Sequence, residues 1–143
     1  MGLSIQLKVK KVHAHAQLPT KTYCDDSCFD LYSVEDKVVP VGQWAEVESG
    51  VIVECPAGYG IHIRPRSSYG KRGLIVHPGT VDNGYRGQLT VFVLNTTNAP
   101  YTIKQGDRVA QMFIEQIAEA HIIEVDEVSQ SDRGARGFGS SGR

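Results

Sequence analysis

Apolar and polar residues alternate with a period of two along much of the chain. Ile5, Leu7 and Val9 are separated by Gln6, Lys8 and Lys10, the pattern of a strand with one buried face. Val51 and Val53 alternate with Ile52 and Glu54, and Tyr59, Ile61 and Ile63 with Gly60, His62 and Arg64. Leu89, Val91 and Val93 face one way and Thr90, Phe92 and Leu94 the other. That run is apolar on both sides and predicts a central strand. Val109, Met112, Phe113 and Ile117 fit one face of a helix too, but the run is short and is read as a strand. His13 and His15, two apart, are expected on one solvated strand face.

Turn signals punctuate these runs: Pro40-Val41-Gly42, Pro56-Ala57-Gly58, Asn83-Gly84, Asn95 to Pro100 and Gln105-Gly106-Asp107. Many short strands between frequent turns predict an all-β sandwich or barrel. No internal repeat is present. Residues 131–143 differ from the rest: glycines, spaced arginines, serines and a single Phe, with almost nothing to bury. The chain therefore divides into a β domain over 1–130 and a glycine-rich arm over 131–143, mobile when alone. A disordered tail is the plainer reading of that arm. A flap is the other, because glycines let backbone amides approach phosphates and arginines supply charge.

Composition narrows the function. The 143 residues amount to one domain, and the net charge of -1 gives no basic face for nucleic acid or a membrane surface. Cys24, Cys28 and Cys55 are too few for a disulfide framework, and no second pair completes a zinc set. With no leader pattern at the first residues, a reducing, cytoplasmic location is expected, and a nucleus or a virus-infected cell would give the same pattern.

Four segments carry groups able to do chemistry. Pro65-Arg66-Ser67-Ser68-Tyr69-Gly70-Lys71 combines hydroxyl, guanidinium and backbone donors at a strand end, enough for a phosphate cradle, although an ordinary polar turn is the simpler explanation. In Gly79-Thr80-Val81-Asp82-Asn83-Gly84-Tyr85-Arg86-Gly87 the Asn-Gly pair predicts a tight hairpin turn. Asp82 and Tyr85 then project near one another, the first able to activate water, the second to pack on a sugar. Asp82 as a mere turn residue is the competing reading. Asp30, in Asp26 to Ser33, could hold a metal-bound water or cap a turn. Gln111, in Gly106 to Met112, can donate to an oxygen.

In order and wording, these segments resemble the five motifs of the trimeric dUTPase family. Ser27 to Ser33 is similar to the first, Pro65 to Ser68 with Lys71 to the second, and Gly79 to Asp82 with Tyr85, Arg86 and Gly87 to the third. Gly106 to Gln111 is similar to the fourth, and Arg133-Gly134 with Gly137 to Gly142 to the fifth. The resemblance spans nearly the whole chain. It implies a distorted β jelly roll or sandwich of the β-clip type, assembled as a homotrimer whose mobile C-terminal arms close over neighbouring sites. It also implies hydrolysis of dUTP to dUMP and pyrophosphate, which lowers dUTP and supplies dUMP for thymidylate synthesis.

Residue roles follow from the same resemblance. Asp82 is the expected general base. Arg66, Ser67 and Ser68 are expected on the phosphate chain, Gln111 near the α-phosphate, Arg133, Ser140 and Ser141 at the γ-phosphate, and Gly139 against the substrate. Gly79, Val81 and Tyr85 frame the uracil and deoxyribose, with Phe138 stacking on the base. Mg2+ rides on the phosphates, with Asp30 as an outer-sphere partner through water. One departure stands out: Cys28 occupies a position where the family usually has Gly, which strains the turn if that Gly needs a positive φ. Two rival readings remain. A dCTP deaminase-like enzyme of the same fold needs a glutamate after the hairpin, and Tyr85-Arg86-Gly87-Gln88-Leu89 has none. A non-catalytic, nucleotide-gated protein-binding trimer would have no use for Asp82 and Phe138.

Overall fold

The computed structural model describes residues 4–137, 139, 141 and 142. In chain order the elements are β1 (Lys8–Lys11), β2 (Cys28–Tyr32), β3 (Lys37–Val39), β4 (Trp44–Glu48), β5 (Val51–Glu54) and β6 (Tyr59–Arg64). The short helix α1 (Ser67–Lys71) follows, then β7 (Leu74–Val76), β8 (Gly79–Val81), β9 (Thr90–Asn95), β10 (Tyr101–Ile103) and β11 (Arg108–Gln116). Every strand pairing is antiparallel. A four-stranded sheet has the order β2-β11-β6-β8 and a three-stranded sheet the order β4-β9-β7, with two-stranded ribbons β1-β5 and β10-β3 beside them. The all-β expectation holds. Among the described residues no helix is long and apolar enough to cross a membrane.

The period-two pattern accounts for the core. Ile61 and Ile63 of β6 and Met112 of β11 turn inward from the larger sheet, as Val91 and Val93 of β9 and Val47 of β4 do from the smaller, and all join one buried cluster. β-branched residues dominate because they fit a pleated, half-buried surface and have few rotamers to lose. β9 is central in its sheet, between β4 and β7, as its two-sided apolar pattern required. β11 is a strand of nine residues, which settles the one helix-or-strand ambiguity. Buried polar groups find partners: Asn95, fully buried, donates to Val39 O and Ala99 O and accepts from the Thr97 backbone and hydroxyl.

Three of the turns share one construction. Gln43, Tyr59 and Asp107 each donate a backbone N–H to the carbonyl three residues back, and the third residue of each turn is a glycine with φ of 71°, 85° and 86° (Gly42, Gly58, Gly106). That left-handed third position is what a type II turn demands.

Three expectations need correction. His13 and His15 lie in a turn after β1, where His13 Nδ1 accepts the His15 backbone N–H at 3.0 Å; the strand ends before them. Asn83-Gly84 forms a turn closed by Tyr85 N–H to Asp82 O at 3.0 Å, but not a hairpin. Neither residue has positive φ, which the primed hairpin turns require, and the strands on either side belong to different sheets. Ser67 to Lys71, read as a turn or loop, winds into α1. Its single buried side chain, Tyr69, supplies the tertiary contact that a five-residue helix needs.

Met112 pairs with Phe29 on one side and Ile63 on the other and is 1% exposed. Met112→Ala is expected to lower stability by about 2–5 kcal/mol, measured by chemical denaturation at fixed protein concentration.

Candidate active site

Register brings the first group of polar residues together. On β11, Gln111 stands opposite Asp30 of β2 and opposite Arg64 of β6, and the chain leaving β6 carries Arg66 straight into α1. Asp30, Arg66, Ser67, Ser68 and Gln111 thus line one cleft of about 700 Å³, together with Asp26 and Cys28. Asp30 is its electrostatic anchor. One carboxylate oxygen meets Arg66 Nε at 3.2 Å and the other meets Arg108 Nε at 3.3 Å, with the Asp30 side chain only 14% exposed. A carboxylate removed from water in this way is retained by the two charges it holds. Arg66 Nη1 also donates to Ser68 Oγ at 3.3 Å, and Gln111 Nε2 to Pro65 O at 3.0 Å, so both long side chains are held in place.

Cys28 fits its place without strain. It lies in β2, opposite Phe113, and no non-glycine residue among those described has a positive φ. Burial pushes its thiol above the usual range. Arg64 works against that, Asp30 adds to it, and Lys21 opposes it.

The second group lies elsewhere. Gly79 and Val81 of β8, with Tyr85, Gln88, Ile63 and His77, line a separate cleft of about 340 Å³. The Tyr85 ring is fixed there: its hydroxyl donates to Gln88 O at 2.9 Å, and a Cβ on Gly87 would come within 2.2 Å of the Tyr85 hydroxyl. A side chain at this position would have to displace the ring. Asp82 borders an adjoining cleft with His62, Thr80 and Asn83. It is exposed; its carbonyl accepts the Tyr85 N–H at 3.0 Å, and among the described residues its carboxylate accepts no hydrogen bond.

Strand register separates the two groups. Val81 pairs with Ile61, so Asp82 continues toward Gly60 at one end of β6, whereas Arg66 follows the other end. At a strand rise of about 3.3 Å per residue, the span from Gly60 to Arg66 is roughly 20 Å. Among the described residues of the arm, none lines either group's cleft. From Glu115 to Gly137 every residue is exposed. Arg133 Nε is occupied by Arg136 O at 2.7 Å, and Gly139 and Ser141 are exposed. Phe138 and Ser140 lie outside the described residues.

The dUTPase family model matches residues 14–142. The deoxyuridine 5'-triphosphate nucleotidohydrolase of Nautilia profundicola is 39% identical over 142 residues, covering 97% of this chain and all of that protein. The enzyme of the same name from Thermobifida fusca is 41% identical, covering 97% and 80%. The chain belongs to the dUTPase family. Among solved structures, the Staphylococcus bacteriophage 80alpha dUTPase with dUpNHpp superposes with a TM-score of 0.92 at 28% identity, covering 96% of this chain and 99% of that one. A variant dUTPase from phage phi11 of S. aureus shares the fold, with a TM-score of 0.83 at 23% identity and coverage of 87% and 99%.

Within this dUTPase-family chain, sequence reasoning passed over two residues that the geometry makes prominent. Arg108 completes the Asp30 anchor, and Asn83 ties down the turn that carries Asp82. Both were visible as polar residues inside motifs, but nothing local marks their partners, which are 78 and 24–28 positions distant.

The three thiols should differ in reactivity, since only the thiolate is nucleophilic. A raised pKa means less thiolate at any pH below it, so at pH 7.5 exposed Cys24 is expected to alkylate first, half-buried Cys28 much later and buried Cys55 last. Peptide mass spectrometry after timed iodoacetamide treatment checks the order.

Proposed function

We propose that this chain is a dUTP diphosphatase that hydrolyses dUTP to dUMP and pyrophosphate, and that it acts as a homotrimer with sites shared between subunits. The observation that carries the reading is the separation of Asp82, whose cleft lies at the Gly60 end of β6, from the cleft of Arg66, Ser67 and Ser68, which follows the other end of that strand. A general base must stand within about 3 Å of the proton it takes. Asp82 is therefore too far from the phosphates that its own cradle holds, and a neighbouring subunit's Asp82 completes the site. The family membership and the enzyme names of the relatives support the same reaction.

Each residue then has a task. Arg66, Ser67 and Ser68 hold the phosphate chain, with Arg66 aimed by Asp30. Gln111 orients the α-phosphate. Asp82 accepts the proton of the water that attacks the α-phosphorus, and pyrophosphate leaves. Gly79 and Val81 offer backbone groups to the uracil edge, where a mismatched donor pattern would leave buried polar groups unpaired. Tyr85, pinned over Gly87, packs on the deoxyribose and excludes a 2′-hydroxyl. Residues 131–143 close over a neighbour's site, with Arg133, Ser140 and Ser141 at the γ-phosphate, Gly139 against the substrate and Phe138 on the base, shielding the reaction from bulk water.

Magnesium fits this donor set as an ion carried by the triphosphate. Asp30 and Asp26 are the carboxylates of the phosphate cleft, and among the described residues no group of three or more metal-ligating side chains exists. Mg2+ is commonly held by one or two carboxylates plus substrate phosphates, retaining several waters. Each oxygen of Asp30 accepts from one arginine, and the lone pair left on each would serve an outer-sphere contact through water. When bound, the ion would neutralise charge on the phosphoryl oxygens.

Incubation with magnesium and dUTP, dCTP, dTTP or UTP in turn tests the reading: dUMP and pyrophosphate are expected from dUTP alone. Loss of the amine from dCTP would establish the deaminase instead. Asp82→Asn is expected to lower kcat by about 10²–10⁴-fold while dUTP still binds by calorimetry. Removing residues 131–143 should leave the trimer intact by light scattering and abolish turnover; full activity without the arm would refute its closing role.

A further inference from the structure

Asn83 lies between Asp82 and Tyr85, and its carboxamide hydrogen-bonds to neither. Nδ2 donates to Pro56 O at 2.9 Å and to Tyr59 O at 3.0 Å, with Cys55 O at 3.5 Å. These carbonyls face into the β5–β6 turn, itself closed by Tyr59 N–H to Pro56 O and bent by Gly58 at φ 85°. An amide nitrogen has two hydrogens, and the two short contacts use both. The main-chain side of the same turn is tied as well. Arg86 Nη1 donates to Asn83 O at 2.6 Å and to Tyr85 O at 3.2 Å, while Arg86 Nη2 meets Glu54 at 3.1 Å.

Asn is common in turns because it tolerates the left-handed region and bonds to its own backbone. Neither property is used here. Asn83 has negative φ, and its side chain reaches 24–28 residues back along the chain. The side chain thus acts as a clamp between two turns. Asp82, by contrast, has no side-chain hydrogen bond of its own among the described residues, so the direction of its carboxylate depends on the backbone that Asn83 fixes. Tyr85 has separate restraints in Gln88 O and the close contact over Gly87.

We propose that Asn83 is a positioning residue for catalysis: by clamping the Asp82–Tyr85 turn to the β5–β6 turn it holds the Asp82 carboxylate in line for the attacking water, and it governs kcat more than substrate binding. The inference rests on the assignment of Asp82 as the base for dUTP. Misplacing a reacting group by about 1 Å costs on the order of 10²-fold in rate.

The test compares wild type with Asn83→Ala, and with Asn83→Ser, a residue that turns accept readily and that guards against a variant that fails to fold. In both variants kcat for dUTP with magnesium is expected to fall about 10–100-fold. Affinity for dUpNHpp, whose binding needs no base, is expected to stay within about threefold. In an Asp82→Asn background, Asn83→Ala should cause little further loss, because the group it positions is gone. Hydrogen exchange at the amides of residues 82–85 should accelerate in each Asn83 variant. Unchanged kcat, equal losses in kcat and affinity, or unchanged exchange would overturn the proposal. If wild type itself does not hydrolyse dUTP, the functional assignment fails separately. The exchange rates then still decide whether Asn83 holds the turn.

Discussion

The antiparallel register of β6 with β8 and β11 constrains everything the site can do. Because β8 runs against β6, pairing Gly79 with Ile63 and Val81 with Ile61, the chain carries Asp82 away from the helix that β6 feeds. On the other flank, Met112 faces Ile63 and Gln111 faces Arg64, which sets Gln111 beside the start of the phosphate cradle. A shift of one residue would exchange the buried and exposed faces of the strand, so burial of Ile61, Ile63 and Met112 locks the register. The core thereby places Asp82 and the cleft of Arg66 at opposite ends of one strand, and the proposal of a site shared between chains rests on that separation.

At each end, rigidity comes from polar contacts between sequence-distant residues. In the cradle, the largely buried Asp30 holds Arg66 and Arg108 by their Nε atoms. Arg66 Nη1 in turn reaches Ser68 Oγ and Arg108 O, and donors preorganised in this way are most effective on developing negative charge. At the other end, Asn83 and Arg86 stake down the turn between Asp82 and Tyr85, and Gly87 gives the tyrosine ring its space. The same logic explains why Cys28 is harmless: its position is extended strand, so a side chain there needs only modest room.

The strands were legible because a two-residue period reports burial directly, and the central place of β9 followed from apolar residues on both faces. The glycines of three turns were legible because a positive φ has a local chemical cause. What failed to show was set by long-range structure. Asn83-Gly84 carries a hairpin signal, yet its flanking strands join different sheets, and short-range propensity cannot see that partition. The helix α1 depends on burial of Tyr69, a tertiary fact. The motif residues were legible as a family resemblance, whereas their distribution over separate clefts, and the partners of Asn83 and Arg108, emerged only from the fold.

The shared site is best tested by subunit complementation. Asp82→Asn chains and Arg66→Ala chains, each nearly inactive alone, are dissociated, mixed in equal amounts and reassembled, and dUTP hydrolysis is measured. If each site takes its base from one subunit and its cradle from another, random assortment in a closed ring restores roughly a quarter of the sites. Activity no greater than the average of the two parents would mean that Asp82 and Arg66 serve the same site within one chain, and would contradict the account.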